Sequence, residues 1–163
     1  MKTKAELVKL LKSDIQAFNA YRQELFEQKI YILDLSHVDL EHVNLRGANL
    51  SDANLNGANL NGADLNDTNL SSANLFNANL SRSHLVNTNL SGANLSNVNL
   101  KEVNLWSTNL ESAKLNQEFI QVVGLGSKKR MTTYLFSDDL IFCGCFKGSL
   151  KEFKKRVKKT YPE

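Results

Sequence analysis

Leucine occupies every fifth position from Leu35 to Leu115, seventeen times in succession and without interruption. Neither regular element can use that spacing. On an α-helix five residues advance about 500°, so successive leucines would drift around the axis, and on a strand they would alternate between faces. A backbone that bends the same way once per five residues instead keeps every fifth side chain pointing inward. Stacked coils of such a chain hydrogen-bond through their main chains as parallel strands do, which makes a solenoid.

The other positions of the pentad fit a narrow interior. Two residues before each leucine the side chain is small or β-branched, as at Ala48, Ala53, Ala58, Ala63, Ala73, Ala78, Ser83 and Ala93, with Val38, Val43, Val98 and Val103 toward the ends. A larger group beside each leucine would overpack. The residue just before the leucine is nearly always Asn or Asp, and 19 of the 20 asparagines lie between residues 33 and 117. So strong a bias without a period would read as disorder. Written A(N/D)LXX, the repeat resembles the pentapeptide-repeat family. The resemblance implies four pentads per square coil and hence a mainly β fold, a right-handed quadrilateral β-helix of about four coils. Residues twenty apart would then stack, which puts Thr68, Thr88 and Thr108 in one column. Their buried hydroxyls need backbone partners or one another.

Outward positions hold mostly Asn, Ser, Gly and Asp, and one face departs from that rule. The pentads at 43–47, 63–67, 83–87 and 103–107 bring Arg46, His84, Val86 and Trp106 together, with Trp106 over Val86. Phe76 is the other aromatic projecting from the coils and belongs to a different face. An exposed tryptophan above an exposed valine is a candidate contact patch for a protein partner; the alternative is a terminal segment folded back over it. His37 and His42 lie five apart, but nothing near them supplies a third and fourth metal ligand. No nucleophile, base and orienting group recur with recognisable spacing, and no Gly-rich phosphate loop appears. The expectation is therefore a protein that is not an enzyme, with no catalytic residues, metal, cofactor or small-molecule substrate.

A parallel solenoid exposes two coil edges that would template aggregation if left open. Both flanks read as covers. In the N-terminal segment, 1–32, Thr3-Lys4-Ala5-Glu6 and Ser13-Asp14-Ile15-Gln16 are capping boxes for helices over about 4–12 and 14–28, with Leu7, Leu10, Leu11, Phe18, Tyr21, Leu25 and Phe26 as the apolar face. The stretch LLKSDIQAFNAYRQE also resembles the helical leader of pentapeptide-repeat proteins in bacteria. After the repeats of 33–117, the segment 118–163 reads as a small α+β module, β-β-β-α, from FIQVVGL, MTTYLF, LIFCGCF and a helix capped at Ser149. The string LIFCGCFKGSLKEF resembles a tail module of bacterial and phage proteins. Cys143 and Cys145 would share one strand face, poorly placed for a mutual disulfide, and are expected as buried thiols.

Charge is distributed unevenly. The three segments carry 6 basic and 4 acidic, 4 and 8, and 10 and 5 groups, for net charges of +2, −4 and +5. Lys151, Lys154, Lys155, Lys158 and Lys159 line the final helix opposite its apolar stripe, where they could bind an anionic lipid or nucleic acid or simply solvate the helix. No run of 18 apolar residues occurs, so no membrane span is expected, and the charged start of the chain reads as cytoplasmic. The leading functional reading is a scaffold that binds an unknown protein through a lateral solenoid face. A second comes from the resemblance: some pentapeptide-repeat proteins imitate duplex DNA and inhibit or protect type II topoisomerase (gyrase). Such mimicry needs a strongly acidic surface, and here Arg46, Arg82, Lys101 and Lys114 interrupt the acids. Nucleic-acid binding through the basic tail ranks below both, and the sequence leaves homodimerisation open.

Overall fold

Thr3 and Asp14 set the two helices with which the chain begins in its computed structural model. The structure describes residues 1–103 and 107–114, and the backbone of 120–125, 130–135, 140–143 and 146–149. Helix α1 spans Lys4–Ser13, and its capping box is complete: the Glu6 N–H donates to the Thr3 hydroxyl at 3.3 Å and the Thr3 N–H donates to the Glu6 carboxylate at 2.7 Å. Helix α2 spans Ile15–Glu27. The second box expected at Ser13–Gln16 does not form. Asp14, held extended at φ −155°, is the N-cap and accepts from the Ala17 N–H at 2.9 Å. Ser13 is still helical, so its hydroxyl can only reach back to the Lys9 carbonyl, at 2.8 Å. Together the helices bury Leu7, Leu11, Phe18, Arg22 and Leu25, while Tyr21, Phe26 and Leu10 stay half-buried.

From Leu33 onward the chain winds as a solenoid whose coils pair in parallel at a separation of twenty residues, from Asp34 with Asn54 to Asn94 with Lys114. Each pentad contributes three main-chain bonds between coils. Leu40 donates to the Asn59 carbonyl at 2.8 Å, His42 to the Asn61 carbonyl at 2.9 Å, and Asn59 back to the Val38 carbonyl at 2.9 Å. Between pentads the chain turns, as when the Val43 N–H donates to the Leu40 carbonyl at 3.2 Å. The second residue after each leucine carries φ between +54° and +71°, the pattern of a type II turn. That recurring left-handed residue is what makes the fivefold bend physically possible. It is glycine at Gly57 and Gly62, where His37 and His42 of the first coil pack so closely that an added Cβ would meet each ring at 2.5 and 2.4 Å.

The interior is regular. Every repeat leucine from Leu35 to Leu95 is at most 1% exposed, and the small residues beside them are buried as well, Val43 excepted. The threonine column is satisfied by backbone: Thr68, Thr88 and Thr108 donate to the carbonyls of Leu45, Leu65 and Leu85 at 2.8, 2.7 and 2.7 Å. Met1–Asn116, helices and coils together, forms one compact unit.

Gln117–Glu163 is the second unit and carries a four-stranded antiparallel sheet in the order β1-β2-β3-β4. The strands are β1 Ile120–Leu125, β2 Arg130–Leu135, β3 Leu140–Cys143 and β4 Phe146–Ser149. The register of β1 on β2 skips Gly124, between Val123 opposite Met131 and Leu125 opposite Arg130, a bulge at the residue best able to make one. The β-β-β-α expectation is corrected in its strand count. LIFCGCF is not one strand: β3 ends at Cys143, which pairs with Phe146 only three residues on, so the apolar run folds into a hairpin. Cys145 and the expected final helix, 150–163, lie outside the described residues.

Candidate partner-binding face

Asparagine and aspartate before each leucine do two jobs. Each side-chain oxygen accepts from the N–H two residues on, closing an Asx turn over the leucine, as Asn69 does for Ser71 and Asn89 for Ser91, both at 3.1 Å. On three of the four faces Asn amides above the first coil also donate to the same position one coil below. On the face that starts at Asn49 this gives a ladder through Asn69, Asn89 and Asn109 at 3.4, 3.5 and 3.4 Å. The faces that start at Asp34 and Asp39 carry the same ladder through Asn54, Asn74 and Asn94, and through Asn59 and Asn79.

The fourth face does not. It starts at Asn44 and continues through Asp64 to His84, and among the described residues no ladder bond links the three side chains. An imidazole at position 84 cannot accept from the Val86 N–H in the Asx geometry. Asn66, one coil below, replaces it: its side-chain oxygen accepts from the Val86 N–H at 2.8 Å. The His84 side chain is thereby left exposed, beside a half-buried Val86. Arg46, 60% exposed along its side chain, pairs with Asp67 of the next coil at 2.7 Å.

The structure therefore brings Arg46, His84 and Val86 onto one face, and adds Asn66 and Asp67, which sequence reasoning did not name. Val86 is half-buried rather than fully exposed. Phe76 lies on the Asp34 face, half-buried, its N–H held by Asn74 at 3.2 Å, and is not part of this surface. Trp106 falls outside the described residues, as do Lys151, Lys154, Lys155, Lys158 and Lys159. His37 and His42 lie against glycines at two corners. Among the described residues no three His, Cys, Asp or Glu groups gather as a metal site would need, and no helix is long and apolar enough to cross a membrane.

Three of the eight acids of the coils pair with lysine or arginine of the same unit. Lys4 pairs with Asp34 at 2.9 Å, Arg46 with Asp67, and Arg82 with Glu102 at 3.1 Å. Hydrogen bonds from the Ser36 hydroxyl and N–H, then from Lys4, hold the Asp34 carboxyl far below the ordinary carboxylate range. The most unusual charge is Arg22, which is wholly buried where α2 meets the first coil. Its Nη2 donates to the carbonyls of Tyr31 and Ser51 at 3.1 and 2.7 Å, and the guanidinium lies 4.5 Å from the Phe26 ring centre. Nε and Nη1 find no partner among the described residues, and desolvation pushes this group below its ordinary pKa, with Asp52 opposing.

Coils of this kind, with a leucine axis and amide-coated faces, define a repeat scaffold. The chain belongs to the pentapeptide-repeat family: the family's repeats match in eight copies over residues 34–71 and 73–117, just over half of its length. Membership makes the solenoid a right-handed β-helix. Among solved structures, the chain is similar to HetL, a protein involved in heterocyst differentiation regulation from the cyanobacterium Nostoc, at 34% identity and a TM-score of 0.47 over 49% of this chain and 38% of HetL. It is also similar to Rfr23 from the cyanobacterium Cyanothece, at 42% identity and a TM-score of 0.20 over 51% of this chain and 50% of Rfr23. A third, alr5209 from Nostoc, is 31% identical with a TM-score of 0.28 over 60% of this chain and 75% of that one. The chain thus spans about two fifths of HetL and half of Rfr23. No curated protein matches it.

Proposed function

We propose that this repeat scaffold, a column of about four coils, works as a protein–protein interaction module in the cytoplasm and engages its partner through the Asn44 face. One observation carries the reading. The asparagine ladder that regularises the other three faces is absent here among the described residues, because Asp64 has no amide to donate and His84 replaces the next asparagine, and the turn cap that His84 cannot supply to the Val86 N–H comes from Asn66 below. Repair keeps the fold intact while His84 and Val86 depart from the repeat on the same face as Arg46, two coils below, so that a basic, an aromatic-ring and an aliphatic group share one surface. Side chains that depart from a repeat without harming it are where recognition is built on a rigid column.

The ion pairs of Lys4, Arg46 and Arg82 neutralise three of the coil acids within the molecule, which weakens the DNA-mimic alternative. The test rebuilds the face to the repeat pattern with His84→Asn and Val86→Ser together. Affinity capture from the source organism should lose specific proteins that the wild type retains, while the unfolding midpoint holds or rises. Identical capture by the two would end the assignment of the site to this face.

A further inference from the structure

The helical cap covers only part of the first coil. By the pattern of the coils above, each face of a bottom coil presents one N–H and two carbonyls that a coil beneath would take up. On the Asp39 face these are the Asp39 N–H and the carbonyls of Asp39 and Glu41, since one coil up Asn59 donates to Val38, Leu40 to Asn59 and His42 to Asn61. Around the Asn49 face the cap supplies substitutes for the missing strand. The Asn19 carboxamide imitates a peptide group, accepting from the Asn49 N–H at 2.8 Å and donating to the Gly47 carbonyl at 2.9 Å. Arg22 serves the Ser51 carbonyl, and Lys4 serves the Ser36 carbonyl at 2.9 Å.

Between Asp39 and Arg46 no described residue fills that role for the groups facing away from the second coil. Exposure follows the same division. Ala48 and Ser51 are 0% and 7% exposed, whereas Asp39, Glu41, His42, Asn44 and Arg46 are all exposed. Val43 is the one inward-facing small residue between 38 and 103 that is not buried. Half of the first coil is thus a finished edge and half is an open one.

We propose that the open edge at Asp39–Glu41 is a docking strand for an extended, basic segment of a partner protein, which adds to the solenoid as one more parallel strand. Unpaired strand edges recruit extended peptides through main-chain bonds, with side chains supplying the selection. Five residues of such a segment suffice for the three bonds that each coil makes to the next. The sign of the charge follows from the side chains bordering the edge. The Asp39 and Glu41 carboxylates are exposed there and keep their charge while accepting from the Asn59 and Asn61 amides of the second coil, His42 lies 3.7 Å from Glu41, and the cations Lys4 and Arg46 are paired with Asp34 and Asp67. This surface is separate from the Asn44 face, so either assignment can fail alone.

A fluorescent seven-residue peptide alternating lysine with valine, titrated into the full chain, is the probe. Saturable binding is expected, weakened about tenfold by Asp39→Asn with Glu41→Gln, which removes two partly solvated charges and keeps the Asx acceptor. The same peptide N-methylated at alternate residues should not bind, nor should a glutamate–valine peptide. Amide exchange at Asp39 should slow on binding, while Asn49, already paired with Asn19, should not change. The docking strand is refuted by an absence of binding, by equal binding of the methylated peptide, or by binding that leaves the Asp39 amide unprotected.

Discussion

The Asn49 face and the Asn44 face are built on the same backbone and differ in one column. On the first, Asn49, Asn69, Asn89 and Asn109 repeat at every coil, each capping its own turn and the upper three bonding to the coil below. On the second, aspartate at 64 and histidine at 84 interrupt the column, yet the main-chain pairing continues, with Leu65 donating to the His84 carbonyl at 2.8 Å and His84 to the Ala63 carbonyl at 3.0 Å. The difference separates two layers of the fold. Leucines and coil-to-coil bonds hold the column. The outer ladder can be altered wherever a neighbour supplies the missing acceptor, and here that neighbour is Asn66.

If the core is indifferent to the face above it, Leu65→Ala and Leu70→Ala, which lie under the two faces and are both fully buried, should cost the same. Each is expected to lose about 3 kcal/mol in urea unfolding, from lost burial and the cavity left in a tight interior. A gap of more than about 1 kcal/mol between them would show that the altered face reaches into the core.

The next largest effect sharpens the comparison directly. The position equivalent to Asn66 on the Asn49 face is Ser71, whose hydroxyl is too short to reach the Ser91 N–H one coil above. Asn89→His should therefore cost about 1–2 kcal/mol, the penalty of an amide losing its acceptor, although the chain carries the same histidine at position 84. Conversely, Asn66→Ala should cost about 1 kcal/mol in the native background and only a few tenths once His84→Asn restores the local cap. A double-mutant cycle with no coupling would mean that the bond between Asn66 and Val86 contributes nothing.

How much of this was legible follows from which signals are local. The leucine period announces the solenoid because a bend that recurs every five residues is a property of each pentad. Thr3 and Glu6 announce α1 for the same reason. Arg22 was missed because a charged side chain reads as surface, although it sits on the α2 stripe four residues after Phe18 and three before Leu25, both buried. The hairpin of β3 and β4 was missed because an uninterrupted apolar run reads as one strand, with Gly144 its only internal turn signal. Asn66 was readable in principle: once twenty-residue stacking is granted, a histidine in the cap position poses the question of what replaces it, and Asn66 stands directly beneath Val86. The covering of the first coil was expected, but its incompleteness was not, because it depends on where three side chains of the cap land.

The smallest expected effect concerns the feet of the columns. Asn49 cannot titrate, whereas Asp34, at the foot of the ladder through Asn54, Asn74 and Asn94, can. Its folded pKa is depressed by Ser36 and Lys4, so its contribution to stability is fully present above the ordinary carboxylate pKa and is lost as pH falls toward the folded value. The side chain is 59% exposed, so solvent screening limits that contribution to less than about 1 kcal/mol. Urea unfolding of the wild type from pH 6 down to about pH 2 should show a steeper loss than that of Asp34→Asn, which keeps the acceptor for the Ser36 N–H but cannot titrate. Glu6, also depressed by its bonds to Thr3, titrates in both proteins and cancels in the difference. Parallel pH profiles would mean that the foot of this ladder is no more sensitive to acid than the foot at Asn49, and that Lys4 ties α1 to the first coil without help from the charge on Asp34.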